Sequence, residues 1–166
     1  AGAPGFEGPV REILRREWRG LLADLRTDGI GNLLGRLPGP ADSPRVLLMA
    51  HMDEVGFLVR YIDERGFVYM NPLGGYIDQS VLTQRYTIMT ARGPVTGYTG
   101  FKSTHIVSPE ERSRMVPLQD MFLDIGARTR EEAEKMGVRP GLPVTYRTEF
   151  EILNGTSRYL AKAWDD

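Results

Sequence analysis

The sequence predicts an α/β part followed by a β-rich module, and three observations predict it. Phe6, Val10, Ile13, Leu14 and Trp18 fall at helical spacing, with Glu7, Arg11, Glu12, Arg15 and Arg16 between them. Val46 to Ala50 is a continuous apolar run, the pattern of a central strand buried on both faces. After Met70 the texture changes to short β-type segments punctuated by Gly and Pro, the mark of a small all-β module.

The helix is predicted over residues 6–19, with Gly20 as its terminator. The stretch TDGIGNLLGRL reads as a turn and then a short strand near Asn32 to Arg36. Pro38 to Pro44 reads as a surface loop. After the strand at 46–50, a second spans Val55 to Ile62, "DERG" turns the chain, and Phe67 to Met70 returns as a hairpin. Further strands are predicted at Tyr86–Thr90, Val95–Tyr98, Met121–Ile125 and Val144–Tyr146. One helix interrupts them: Thr129 caps it, Glu132 occupies the capping-box position, and Gly137 ends it. "RYLAKAWDD" closes the chain, with Leu160 to Trp164 expected to be buried. No internal repeat is present.

Composition narrows the function. The 166 residues suffice for one domain or two small ones, and 41% hydrophobic with 26% charged content describes a globular chain. A net charge of −1 offers no electrostatic case for nucleic acid or a membrane surface. No apolar run approaches the ~20 residues of a membrane span. The absence of cysteine excludes disulfides and thiolate metal sites. With no signal pattern at the N-terminus, the cytoplasm is the simplest compartment.

The chemistry concentrates in "VLLMAHMDEVGFLV", residues 46–59. In α/β sheets ligands sit beyond the carboxyl ends of strands, and His51 lies at such an end. In His-x-Asp, Asp53 can take one ring N–H, which leaves the other nitrogen for a metal. The competing reading is an ordinary loop. Asp165 and Asp166 come after another β-type run, where a carboxylate is well placed to hold a cation or to bridge two. They too have a bland alternative, a solvated acidic end.

Other features carry less. "GYTGFKST" lacks the glycine directly before lysine that a phosphate-binding loop needs. His105 reads as a surface or loop-packing residue. Glu110 and Glu111, after Ser108 and Pro109, read as a helix start. "NGT" at 154–156 reads as a turn. Neither H-E-x-x-H nor G-x-S-x-G is present.

The segments PGFEGPVREIL, TDGIGNLLG, VLLMAHMDEVGFLV, GFVYMNPLGG, TGFKSTHIVSPEER, DMFLDIGARTREEAEKMGVRPG and YLAKAWDD occur in one order along the chain. Together they resemble the dinuclear metal aminopeptidases that include the tetrahedral, deblocking and glutamyl aminopeptidases, some carrying an endoglucanase label. The resemblance implies a zinc-exopeptidase-type catalytic α/β domain, here partial, over 1–64 and 156–166, with a PDZ-like β domain inserted at 65–155. His51 matches the first metal ligand, Asp53 the aspartate that orients it, and Asp165 the carboxylate bridging two metals. Asp166 matches the neighbour joined to it by a cis peptide bond. The implied cofactors are two divalent ions, zinc or cobalt, with manganese also suited. The implied reaction is hydrolysis of N-terminal residues from peptides by a metal-activated water, in a homo-oligomer that is often a dodecamer.

The family's Glu-Glu pair with the general base, a further acidic ligand and a final histidine have no match here. The chain alone is therefore expected to be inactive and to need a missing C-terminal half. Two other functions compete. One is a non-catalytic assembly module working through the PDZ-like domain. The other is a glycoside hydrolase using paired carboxylates.

Overall fold

The computed structural model describes residues 1–100, 105–112 and 114–165. Helix α1 (Gly8–Trp18) has Pro9 in its first turn and Arg15 and Arg16 in its last, both favourable placements. Gly20, at φ +84°, turns the chain after it. Strands β1 (Ala23–Thr27) and β2 (Leu33–Arg36) form an antiparallel pair around a turn in which Asp28 accepts from the Ile30 and Asn32 backbone N–H groups. The short strand was expected from the sequence; its partner β1 was not.

The run Val46–Ala50 departs from expectation. It is neither strand nor helix, and Val46, Leu47, Leu48 and Met49 are 78–89% exposed. A central strand exists only through neighbours that complete its ladder and layers that cover both faces. The described residues supply neither.

The core is built downstream of this run. Strands β3 (Gly56–Ile62) and β4 (Val68–Leu73) pair antiparallel, and a short helix α2 (Asp78–Val81) leads to β5 (Arg85–Thr90) and β6 (Gly93–Thr99). Helix α3 (Pro109–Arg112), strand β7 (Phe122–Asp124), helix α4 (Arg130–Lys135) and strand β8 (Pro143–Tyr146) come next. The six strands β3-β4-β7-β6-β5-β8 close into a barrel with every pairing antiparallel. Closure removes the unpaired edges that an open sheet would present. Where the resemblance implied a PDZ-like module, the observed form is this closed barrel, and it draws in β3. Two-residue strands β9 (Glu151–Ile152) and β10 (Tyr159–Leu160) pair outside it.

Alternation fills the barrel. Phe57, Val59, Val68, Met70, Tyr86, Ile88, Leu123 and Val144 point inward, each at most 3% exposed. Along β3 the alternation slips: Arg60 and Tyr61 are both exposed before Ile62 returns to the core. A register shift between Val59 and Tyr61 accounts for it, a bulge placing one extra residue in the strand. The β3–β4 turn is made by Asp63, whose Oδ1 accepts from the Arg65 and Phe67 N–H groups, and by Gly66 at φ +85°. A Cβ on Gly66 would stand 2.9 Å from the carbonyl oxygens of Ala127 and Thr129, so only glycine fits.

Helix α4 packs Ala133 and, after it, Val138 into the core, where they are 0% and 1% exposed. Thr129 Oγ1 accepts from Glu132 N–H at 3.2 Å, Glu132 Oε2 accepts from Arg128 N–H at 2.8 Å, and Gly137 ends the helix at φ +91°. Thr129→Ala is expected to cost about 1 kcal/mol of stability, read as a lower denaturant midpoint at unchanged slope. At α3, where the sequence suggested a helix start, Ser108 and Glu111 form a reciprocal capping box.

Leu160 and Trp164, expected to be buried, are 44% and 63% exposed. The cause is the one that exposes residues 46–49: apolar side chains are buried only where another layer meets them. Among the described residues no helix is long and apolar enough to cross a membrane.

Candidate metal-binding site

The chain leaves the apolar run at Ala50 and passes through His51, Asp53 and Glu54 before Gly56 starts β3. Gly56 is held tightly: a Cβ there would meet the Val144 carbonyl oxygen at 2.8 Å. The loop is thus tied at its downstream end to β8. The closing segment 161–165 approaches the same place from the far end of the sequence. Together they line a cleft of about 250 Å³, bounded by His51, Asp53, Glu54, Tyr146, Lys162 and Asp165 among others.

The His51 ring is oriented on both sides. Nδ1 lies 2.9 Å from the Asp53 carbonyl oxygen and 3.2 Å from Asp53 Oδ1. Both are acceptors, so this contact orients the ring and turns Nε2 to the opposite side. Nε2 in turn faces Asp165 Oδ2 at 3.6 Å. Two donors each about 2.0–2.1 Å from one tetrahedral ion stand roughly 3.4 Å apart. The pair therefore fits two corners of one coordination shell, and the second carboxylate oxygen of Asp165 is left for another partner. Its side chain is 90% exposed.

A complete shell needs more. Among the described residues no group of three or more His, Cys, Asp or Glu side chains gathers to hold a metal ion.

Behind the cleft stands a cluster of rings. Phe57 stacks on Tyr76 at 4.3 Å, and Tyr146 lies 4.8 Å from Tyr86 and 6.0 Å from Tyr76. Burial, then the neighbouring Tyr146 and Glu54, push the Tyr76 phenol well above its usual range. Burial likewise raises Tyr86, whose hydroxyl donates to the Val81 carbonyl. Both phenols stay protonated across the physiological range.

Residues 31–166 match the family described as M42 glutamyl aminopeptidase. The chain belongs to that family. The M42 match covers the loop carrying His51 and Asp53 and the segment carrying Asp165. The glutamyl aminopeptidase of Lactococcus lactis subsp. cremoris is 31% identical over 165 residues, 98% of this chain and 46% of that protein. The crystal structure of a TET aminopeptidase from a marine-sediment Thaumarchaeota archaeon superposes with a TM-score of 0.83 at 37% identity, covering 93% of this chain and 43% of that one. The Pyrococcus horikoshii TET1 peptidase, described as able to assemble into a tetrahedron or a large octahedral shell, gives a TM-score of 0.79 at 33% identity, over 93% of this chain and 46% of that one. This M42 chain thus spans less than half the length of each of these relatives.

Some expectations fall elsewhere. His105 sits in an exposed turn and does not line the cleft. "NGT" forms a tight turn with Asn154 at φ +51°. Asp166, its peptide bond to Asp165, and residues 101–104 of the rejected phosphate-loop stretch lie outside the described residues. Glu54, Lys162, Thr145 and Tyr146 were given no role from sequence. Glu54 and Lys162 are 108 positions apart, a separation that no local pattern bridges.

Proposed function

We propose that this chain is the N-terminal half of a metal-dependent aminopeptidase that removes N-terminal residues from peptides. The observation that carries the reading is His51: its Nδ1 is held by Asp53 while its Nε2 faces Asp165 at 3.6 Å. His51 and Asp165 would hold divalent ions, with Asp165 bridging two. Zinc and cobalt suit the imidazole and carboxylate donors, as does manganese. When bound, the ions lower the pKa of a water and polarise the scissile carbonyl.

The chain's own residues orient and anchor. Asp53 orients the His51 ring so that Nε2 is directed into the cleft. Asp165 supplies negative charge opposite it. The aromatic wall behind the cleft excludes water from one side. A general base and further donors would come from a C-terminal half. The division into a catalytic part at 1–64 and 156–166 and an insertion at 65–155 belongs to the same proposal, with β3 shared between loop and barrel. The assembly of the Pyrococcus horikoshii relative supports a homo-oligomer, and a dodecamer is the form the resemblance implies.

The test is amino-acid release from unblocked peptides by the polypeptide that carries both halves. Release that stops with a chelator and returns with zinc or cobalt is expected. Release insensitive to chelation, or cleavage of a glucan instead, refutes the reading. Asp53→Asn should weaken metal binding about 10- to 100-fold, checked by competition with a chromophoric chelator.

A further inference from the structure

The two segments that bring His51 and Asp165 together contain neither helix nor strand: residues 51–55 and 161–165 are irregular. No ladder sets the distance between the two side chains. An ion pair beneath the cleft joins the segments instead. Lys162 Nζ lies 2.7 Å from Glu54 Oε1, with the side chains 29% and 13% exposed. Glu54 Oε1 also accepts from the Gly2 N–H at 3.2 Å, and the Glu54 N–H donates to the Gly2 carbonyl at 2.8 Å. Lys162 Nζ reaches Thr145 Oγ1 on β8 at 3.5 Å, and Thr145 is fully buried. One contact set therefore links the His51 loop, the Asp165 segment, the N-terminal stretch and the barrel wall.

The placement is symmetric in sequence. Glu54 lies three residues after His51, and Lys162 three residues before Asp165. Each partner anchors one donor by a short arm. A charge-assisted hydrogen bond between mostly buried groups is stiff, and losing either partner leaves the other buried without its counter-charge. We propose that the Glu54–Lys162 ion pair is a positioning clamp that sets the separation of His51 and Asp165, and with it the geometry in which they take a divalent cation. The proposal rests on the reading of His51 and Asp165 as metal ligands.

Coulomb's law alone gives the opposite sign for one variant, which makes the test sharp. Removing the Lys162 cation should strengthen binding of a nearby metal cation if the lysine acts only through its charge. The clamp requires that it weaken binding. The probe is cobalt(II), whose visible absorption reports coordination geometry, titrated into the polypeptide that carries both halves of the site. Lys162→Met is expected to lower cobalt affinity 10- to 100-fold and to change the absorption band. Lys162→Arg, which keeps a charged donor, should stay within about threefold. Glu54→Gln combined with Lys162→Met should be little worse than either alone, because the two act as one unit. Near-ultraviolet dichroism of the barrel rings checks that each variant is folded. A folded Lys162→Met with wild-type affinity and spectrum overturns the clamp, as do additive losses in the double variant. A wild-type polypeptide that takes up no cobalt overturns the ligand reading itself, a separate result.

Discussion

His51→Ala, in the polypeptide that carries both halves of the site, is expected to lower kcat/KM by about 10³-fold or more. The residue is proposed to supply the imidazole donor, and a bound metal contributes several kcal/mol of transition-state stabilisation, with each ~1.4 kcal/mol worth tenfold. The check is steady-state kinetics paired with metal stoichiometry: metal content should fall alongside activity. A variant that keeps full metal content and rate would remove His51 from the site. The same ligand count bears on the 166-residue chain by itself. With the His51–Asp165 pair and no larger donor group among the described residues, it should release no amino acid and hold metal weakly. Metal-dependent release by the purified chain alone would overturn that expectation.

Phe57→Ala should produce the largest loss of stability, about 3–5 kcal/mol. Phe57 is 0% exposed, stacks on Tyr76 at 4.3 Å and meets Tyr86 edge-on at 5.6 Å. It sits on β3 where that strand pairs with both β4 and β8, so the cavity would open at the seam of the barrel. For a domain of this size the loss corresponds to a fall in Tm of roughly 10 °C or more by calorimetry. Arg60→Ala, on the outer face of the same strand, should change stability by no more than about 0.5 kcal/mol. If the two substitutions cost the same, the alternation that defines the barrel interior is misassigned. Because β3 begins two residues after Glu54, Phe57→Ala should also loosen the loop that carries His51.

The barrel strands were legible because each carries its own signal. Tyr86–Thr90 alternates, "DERG" turns, and Thr129 with Glu132 marks a helix start; these are local patterns that local backbone geometry obeys. The His51–Asp53 pairing was legible for the same reason, since two residues of separation is within side-chain reach. Strand β1 escaped notice because "ADLRT" has little apolar periodicity, and its existence rests on pairing with β2.

Burial behaved differently. The run Val46–Met49 has the composition of a central strand, and Leu160 and Trp164 that of a covered one, yet all are largely exposed. Apolar composition states what a segment can bury. Whether it is buried depends on a layer that the described residues do not supply.

By itself, then, the sequence determined the elements of the barrel, the cap of α4 and the contact between His51 and Asp53. Only the tertiary structure decided that β3 to β8 close into a barrel, that Asp165 comes within 3.6 Å of His51, and that Glu54 and Lys162 pair beneath them. The reason is physical. Periodicity, turns and caps are set by neighbours in the chain, whereas closure and long-range ion pairs depend on contacts between residues up to 108 positions apart. Which of those contacts forms is settled by the packing of the whole fold.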